Sequence, residues 1–184
     1  MPLEHCLEMH FERAHVQEPV LCHMARQWEH VMFNIDALSV GSQRAMMRIA
    51  LVGEQDGIDS VIEYFKSLDV DLKTLSKGTY DGEIPDVPMR MGLHREAGDV
   101  TEKKLWLTVL GTLRTQPFLW ALTRRFDVTY KIMQSVTGDS VSIVSMLIWG
   151  PRAEVNGAIA FLREQNVHVE FGEVTVGTPF IQTG

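Results

Sequence analysis

The sequence predicts an α+β protein in which one β-α-β-β-α-β unit occurs twice along the chain. Three observations lead to this prediction. Two segments of the chain align with each other over about 70 residues. Each segment shows the same order of strand-like and helix-like patterns. A stretch rich in Gly, Pro and acidic residues separates them, as expected of a connection between two units.

The internal repeat is the strongest signal in the chain. Residues 16–28 align with residues 114–126 at an offset of 98, and after a one-residue gap the alignment continues at an offset of 97. The matched pairs include Pro19 with Pro117, Arg26 with Arg124, Val31 with Val128, Ile35 with Ile132, Gly53 with Gly150 and Ile62 with Ile159. A register kept over about 70 residues with a single gap indicates a duplication.

The first two elements of each copy follow from local patterns. An alternating strand is predicted near residues 6–12 and again near 104–110. A helix then begins at Pro19 or Pro117, where the missing N–H costs nothing. Apolar residues recur along both helices at helical spacing, so each helix is expected to bury one side.

The rest of each copy comprises two strands around a glycine turn, a second amphipathic helix and a last strand. The turns fall at Gly41 and Gly138, between β-branched and apolar residues. The last strands are predicted near 70–75 and 167–174. This order is that of the ferredoxin-like fold, an antiparallel sheet with both helices on one face.

That arrangement leaves the other face of each sheet open. In the second copy its predicted lining includes Trp106, Ile143 and Leu147. Exposed apolar area of this kind usually marks a contact. We expect the two copies within one chain, or two chains in a homodimer, to cover each other.

The domain boundaries are predicted from the same alignment. A first module covers residues 1–76, a linker 77–103, a second module 104–176 and a tail 177–184. The Gly, Pro and acidic residues of the linker suit a flexible connection or an ordered wrap over the surface.

Composition and charge argue against several classes of protein. Hydrophobic residues make up 45% and charged residues 22%, which suits a folded core. A net charge of −7 argues against binding to nucleic acid, and the densest basic run, Arg124 with Arg125, is interpreted as a solvated helix face. Apolar runs are shorter than the roughly 20 residues of a membrane helix. With no secretion-signal pattern and only two cysteines, a cytoplasmic protein without a membrane partner is expected.

Chemical motifs are sparse, so neither an enzymatic activity nor a cofactor is predicted. The chain has no phosphate-loop, dinucleotide-binding, zinc-protease or nucleophile-elbow pattern. The first copy carries six metal-capable side chains: His5, Cys6, His10, His15, Cys22 and His23. Their spacing fits no known ligand pattern, so no metal site is predicted. Methionines in the strands, such as Met47 and Met133, are interpreted as core filler.

The second copy resembles the NIL domain, a small ferredoxin-like domain found at the C-terminus of methionine-import ATPase subunits and beside ferredoxin modules in other proteins. The resemblance rests on the K-x-W-L opening strand from Lys104, the Q-P helix start at Pro117, the R-F-D-V junction at 125–128 and the closing run at 158–170. The first copy is similar to a degenerate NIL domain over a comparable span.

The resemblance implies a regulatory role. NIL domains are similar to ACT domains, which bind amino acids at interfaces between modules, and the transporter NIL domain binds methionine and regulates its partner. Such a site often involves the second strand, where the family frequently has Asn before Ile. The corresponding residues are Asn34 and Ile35 in the first copy but Lys131 and Ile132 in the second. The two copies are therefore not expected to bind a ligand equally.

These observations leave two hypotheses about function. The first is a non-enzymatic sensor that binds a small amino-acid-type ligand between its modules, methionine being the ligand that the resemblance suggests, and regulates a protein partner in trans. The second is an interaction adaptor, without a small ligand, that docks a partner on its open sheet face or edge strand. A cavity with convergent polar groups favours the sensor, and a flat apolar patch around Trp106 favours the adaptor.

Overall fold

The computed structural model describes residues 1–12, 19–89, 99–113 and 116–172. His15 and the predicted tail lie outside these residues. The described elements, in chain order, are β1 (Leu3–Glu12), α1 (Val20–Gln27), β2 (Met32–Val40), β3 (Arg44–Gly53), α2 (Gln55–Ser67), β4 (Asp71–Thr79), β5 (Val100–Leu110), α3 (Phe118–Arg125), β6 (Thr129–Thr137), β7 (Val141–Pro151), α4 (Arg152–Glu164) and β8 (His168–Phe171). A short 3-10 turn, Gly111–Leu113, follows β5.

All eight of these strands form one antiparallel sheet, in the order β4-β1-β3-β2-β6-β7-β5-β8. Strands β1 to β4 form one side of the sheet and β5 to β8 the other; we call these the first and second halves. Each half has the element order β-α-β-β-α-β. The predicted α+β class with an antiparallel sheet is confirmed.

The halves join where β2 meets β6. The two strands pair through a single residue pair, Val40 with Ser135. Side chains of β6 supply further hydrogen bonds to the backbone of Leu38: its N–H donates to Thr137 Oγ1 at 2.9 Å, and Ser135 Oγ donates to its carbonyl at 2.8 Å. The two hydroxyl groups thus form hydrogen bonds with backbone groups of β2 that a longer pairing of β2 with β6 would otherwise satisfy.

Helices α1 and α3 contact each other across this junction, and each also packs on the edge strand of the opposite half, α1 on β6 and α3 on β2. Their buried residues continue the apolar core of the sheet. The core therefore runs through both halves without a break, on the helix-covered side of the sheet.

Two glycines, Gly53 in β3 and Gly150 in β7, allow these strands to approach the connections that follow α1 and α3. A Cβ on Gly53 would lie 2.7 Å from the carbonyl oxygen of His30, and a Cβ on Gly150 would lie 2.7 Å from that of Asp127. Gly150 also has a φ of +153°, which L side chains rarely adopt. The repeated glycine pair Gly53 and Gly150 therefore has a steric reason.

The strands begin and end differently from the sequence prediction. β1 and β5 begin three to four residues earlier than expected, β4 continues to Thr79 and β8 ends at Phe171. Residues 101–103 are assigned to the linker in the sequence prediction because they are polar and charged, yet they pair in register with β7 as part of β5. After β4, the N–H of Tyr80 donates to the carbonyl of Pro2 at 2.9 Å, so the described start of the linker is held against the first half. No helix in the described ranges is long and apolar enough to cross a membrane.

Candidate site at the junction of the two halves

A cavity opens at the junction on the helix side of the sheet, below the first turn of α3; we call it the first junction cavity. Its wall is β2, its roof is residues 116–119, and its floor comes from β5, β6 and β7. The lining residues are Phe33, Asn34, Ile35, Asp36, Ala37, Leu38, Val109, Gln116, Pro117, Phe118, Leu119, Ile132, Thr137, Ser142 and Val144. It holds about 480 Å³ of space between atoms, mouth included, of which about 40 Å³ accepts the centre of a water molecule.

A second junction cavity lies below the first turn of α1, with β6 as its wall. Its lining residues are Phe11, Pro19, Val20, Leu21, Leu38, Val40, Ala45, Met47, Tyr130, Lys131 and Ile132. It holds about 470 Å³ in all, and about 60 Å³ accepts the centre of a water molecule. Most of its lining corresponds to that of the first cavity at the offsets of the sequence repeat.

The structure brings all four residues of the predicted ligand site to these cavities. Asn34, Ile35 and Ile132 line the first, whereas Lys131 and Ile132 line the second. Side chains alternate along a strand, so the amide of Asn34 points to the sheet face opposite Phe33 and Ile35. We therefore expect Asn34 to border the cavity through its backbone.

Each cavity wall contains a β-bulge. The register of β2 against β3 shifts between Ile35 and Ala37, and the register of β6 against β7 shifts between Ile132 and Gln134. The extra residue is Asp36 in the first half and Met133 in the second. Met133 is 41% exposed, so its interpretation as core filler was wrong: the bulge turns it outward. Met47, in contrast, is buried as predicted.

One polar group in the first junction cavity has no partner. Ser142 is 6% exposed, and its hydroxyl oxygen has no hydrogen bond to any described residue. Its neighbour Thr137 is different, because that hydroxyl bonds the backbone of Leu38. Most buried polar groups are hydrogen-bonded, so an unpaired hydroxyl at a cavity surface indicates a place for an external partner.

Two arginines at equivalent positions of the repeat form hydrogen bonds between the halves. Arg26 of α1 donates to the carbonyl of Val128 in the second half. Arg124 of α3 donates through Nη1 to the carbonyl of Glu29 in the first half at 3.1 Å, and through Nε to Val87 O at 2.7 Å. Burial lowers the pKa of Arg124, whose guanidinium also lies 5.0 Å from the ring centre of Trp120.

The interpretation of Arg124 as a solvated surface residue was therefore wrong: it is 8% exposed. Arg125 beside it is exposed, as predicted. The alignment of Arg26 with Arg124 in the repeat was the sequence signal that could have marked these residues.

The other contacts of α1 and α3 differ between the halves. The thiol of Cys22 in α1 donates to the carbonyl of Tyr130 at 3.5 Å and accepts from its N–H at 3.3 Å. Burial raises the pKa of this thiol to about 11. Trp120 takes the same position in α3, and its buried indole N–H has no partner among the described residues.

The metal-capable side chains of the first half do not converge. His5 is buried on the helix side of β1, Cys22 is buried against Tyr130, and His23 stacks near the rings of Trp28 and Tyr64 on the surface. No group of three His, Cys, Asp or Glu residues within the described ranges could hold a metal ion.

The open face of the sheet differs between the halves. In the second half Trp106, Ile143 and Leu147 are half-buried on this face. In the first half the corresponding face is charged, and Glu8 accepts a hydrogen bond from Arg48 at 2.8 Å.

Comparison with known proteins finds a family similarity in the second half of the chain. Residues 104–171 match the family model of the NIL domain. No protein with a curated description matches the chain.

Several solved structures have similar shapes over most of the chain. One is provisionally named a glycine cleavage system transcriptional repressor (7% identity, 96% of this chain and 99% of that chain, TM-score 0.33). Another is an unknown protein from Galdieria sulphuraria (10%, 95% and 100%, TM-score 0.32). A third is a chlorite dismutase variant from Candidatus Nitrospira defluvii (12%, 95% and 89%, TM-score 0.27).

Proposed function

We propose that the chain is a non-enzymatic regulatory protein built from two ferredoxin-like modules, and that it binds a small amino-acid-type ligand where the modules meet. The observation that carries this proposal is the first junction cavity, because residues of both halves line it. A ligand there would contact both modules at once. Its binding energy would therefore change how firmly the halves hold together, which gives a route to regulating a protein partner in trans.

The chemistry of the cavity suits an amino acid. The first turn of α3 forms its roof, and the positive end of the helix dipole there favours a carboxylate, although Pro117 has no N–H and the N–H of Phe118 donates to the carbonyl of Gln116. Asp36 on the bulge of β2 is the one charged residue among the described lining residues, and a carboxylate favours an ammonium group. The remaining walls are mostly apolar, as in most small-molecule sites. Only about 40 Å³ of the cavity can hold the centre of a water molecule, so we expect only the ligand's side chain to enter the cavity.

A thermal scan of the purified, reduced protein against glycine and the nineteen chiral L-amino acids tests this proposal. At 100 times its dissociation constant a ligand adds about 2.7 kcal/mol to the free energy of unfolding, which is visible as a higher melting temperature. The matched control is the D-enantiomer of each active compound, since a built site distinguishes the two. A flat response to all twenty compounds, or equal responses to L and D forms, would contradict the proposal. Because of the NIL resemblance, L-methionine is the first compound to test.

A second candidate is an adaptor that docks a protein on the open face of the second half. It is favoured by the half-buried Trp106, Ile143 and Leu147, next to Val136, which is 68% exposed. This candidate predicts no response in the thermal scan. It also predicts that Leu147→Glu abolishes binding of the regulated partner while Arg48→Glu, on the same face of the first half, does not.

A further inference from the structure

The two junction cavities occupy equivalent places in the two halves but differ in chemistry. Thr137 on the floor of the first cavity corresponds to Val40 in the second, and Ser142 corresponds to Ala45. The bulge of β2 places Asp36 at the first cavity, whereas Met133, at the corresponding bulge of β6, is not among the described residues that line the second. Two polar side chains of the first cavity are thus replaced by apolar ones, and its carboxylate has no counterpart.

Ser142 is the most informative of these differences. It pairs across the sheet with Val109 on one side and with Thr137 on the other, so it is enclosed by strands. Its hydroxyl is buried without a hydrogen bond to the described residues. The hydroxyl of Thr137, opposite Ser142, donates to the carbonyl of Leu38 and accepts from its N–H, so its one proton is already used. A buried polar group without a partner costs stability, so a protein that keeps one needs another reason for it.

We infer that the first junction cavity alone binds the ligand, at one molecule per chain, and that Ser142 selects an amino acid whose side chain carries a hydrogen-bonding atom. This inference rests on the proposed function and adds to it the position, the stoichiometry and the ligand class. The neighbours of Ser142 in the cavity include Val109, Val144 and Leu119, which are apolar. The group that enters is therefore a short, mostly apolar side chain with one hydroxyl, thioether or amide group near its end.

The second junction cavity lacks what such a ligand requires. Ala45 presents a methyl group where Ser142 presents its hydroxyl. Lys131 alternates with Tyr130 and Ile132 along β6, so its side chain points to the opposite face of the sheet and supplies no polar group inside this cavity. The cavity remains an apolar space between α1 and β6. An amino acid entering it would lose hydrogen bonds to water and gain none at the position of Ala45.

Calorimetric titration with two pairs of similarly shaped amino acids tests the inference. The pairs are L-threonine with L-valine, and L-methionine with L-norleucine; one member of each has a polar atom where the other has a carbon. We expect one molecule bound per chain. We also expect the polar member of at least one pair to bind about 10-fold or more tighter, because a site built for a hydrogen bond rejects the analogue that lacks it.

Two variants at equivalent positions complete the test. Ser142→Ala is expected to remove the preference within the pair and to raise the melting temperature of the ligand-free protein by about 2–4 °C, since it deletes an unpaired buried hydroxyl. Ala45→Ser, the matched control in the second cavity, is expected to leave stoichiometry and preference unchanged.

The outcomes separate this inference from the proposed function. If wild-type protein binds none of the twenty amino acids, the proposed function fails and the inference fails with it. Two molecules per chain, or a preference that survives Ser142→Ala, would overturn the inference and leave the proposed function in place. One molecule per chain with a preference that Ser142→Ala removes supports both.

Discussion

The two halves make equivalent hydrogen bonds and close backbone contacts at the junction, but the residues that line their cavities differ. Arg26 and Arg124 each reach across to a backbone carbonyl of the opposite half, and Gly53 and Gly150 each let a strand end approach a helix-strand connection. Below α1 and α3, however, one cavity is lined by Ser142 and the other by Ala45. The duplicated contacts hold the halves in one sheet, which leaves the cavity linings free to differ in chemistry.

The largest expected effect separates the two arginines. Arg124→Ala should lower the free energy of unfolding by about 2–3 kcal/mol, because two carbonyls lose a charged donor in a buried place. Arg26→Ala should cost about 1 kcal/mol, since Arg26 is only half-buried. Urea denaturation monitored by circular dichroism measures both. Arg125→Ala is the control, with an expected change within about 0.5 kcal/mol; equal losses for Arg124 and Arg125 would contradict the buried contacts.

The two equivalent glycines, Gly53 and Gly150, are expected to differ in the stability lost when alanine replaces them. Gly150→Ala should destabilise the protein by about 1–3 kcal/mol, because the new Cβ meets the Asp127 carbonyl and the positive φ is strained for alanine. Gly53→Ala meets the His30 carbonyl at the same 2.7 Å without that strain, so its loss should be smaller. The same urea titration decides the order, and a larger loss for Gly53→Ala would be inconsistent with the backbone geometry.

His5 makes the stability of the first half depend on pH. Burial lowers its pKa below 6.5, with a smaller contribution from Lys77, while Asp59 acts in the opposite direction. Below pH 6.5 the unfolded chain takes up a proton that the folded protein resists, so stability falls as the pH drops from about 6.5 toward the lower folded-state pKa. The slope from this residue is at most about 1.4 kcal/mol per pH unit.

Unfolding measured from pH 7.5 to 5 tests this expectation. His5→Leu removes the titrating group, so the variant should show a flatter profile than wild type. The corresponding residue of the second half is Lys103, so the imidazole of His5 has no counterpart at that position. Identical profiles for wild type and His5→Leu would show that His5 does not contribute.

The smallest effect is expected at Asn34. Because its amide points away from the first junction cavity, Asn34→Ala should change ligand affinity less than about 2-fold. Calorimetry with L-methionine compares it with Ser142→Ala. A loss of binding in Asn34→Ala alone would show that the amide itself contacts the ligand.

The sequence alone predicted the order of elements, because helical spacing after Pro19 and Pro117 and the repeated glycines are local signals. It also identified the strand segment around Asn34 and Ile35 that borders the first cavity. Ser142 and Arg124 could not be assigned in this way. Their roles depend on residues far away in the chain, because Ser142 lines the same cavity as Leu38 and Arg124 donates to Glu29, and only strand pairing and helix packing bring these residues near.

Amide hydrogen exchange with and without saturating L-methionine tests whether a ligand occupies the first junction cavity alone. We expect slower exchange at residues 33–38 of β2 and 117–119 at the start of α3, and no change at the corresponding start of α1, residues 19–21. Protection of both sets would contradict a single occupied cavity. No change near either cavity, or protection confined to the strands around Trp106, would contradict binding at the junction.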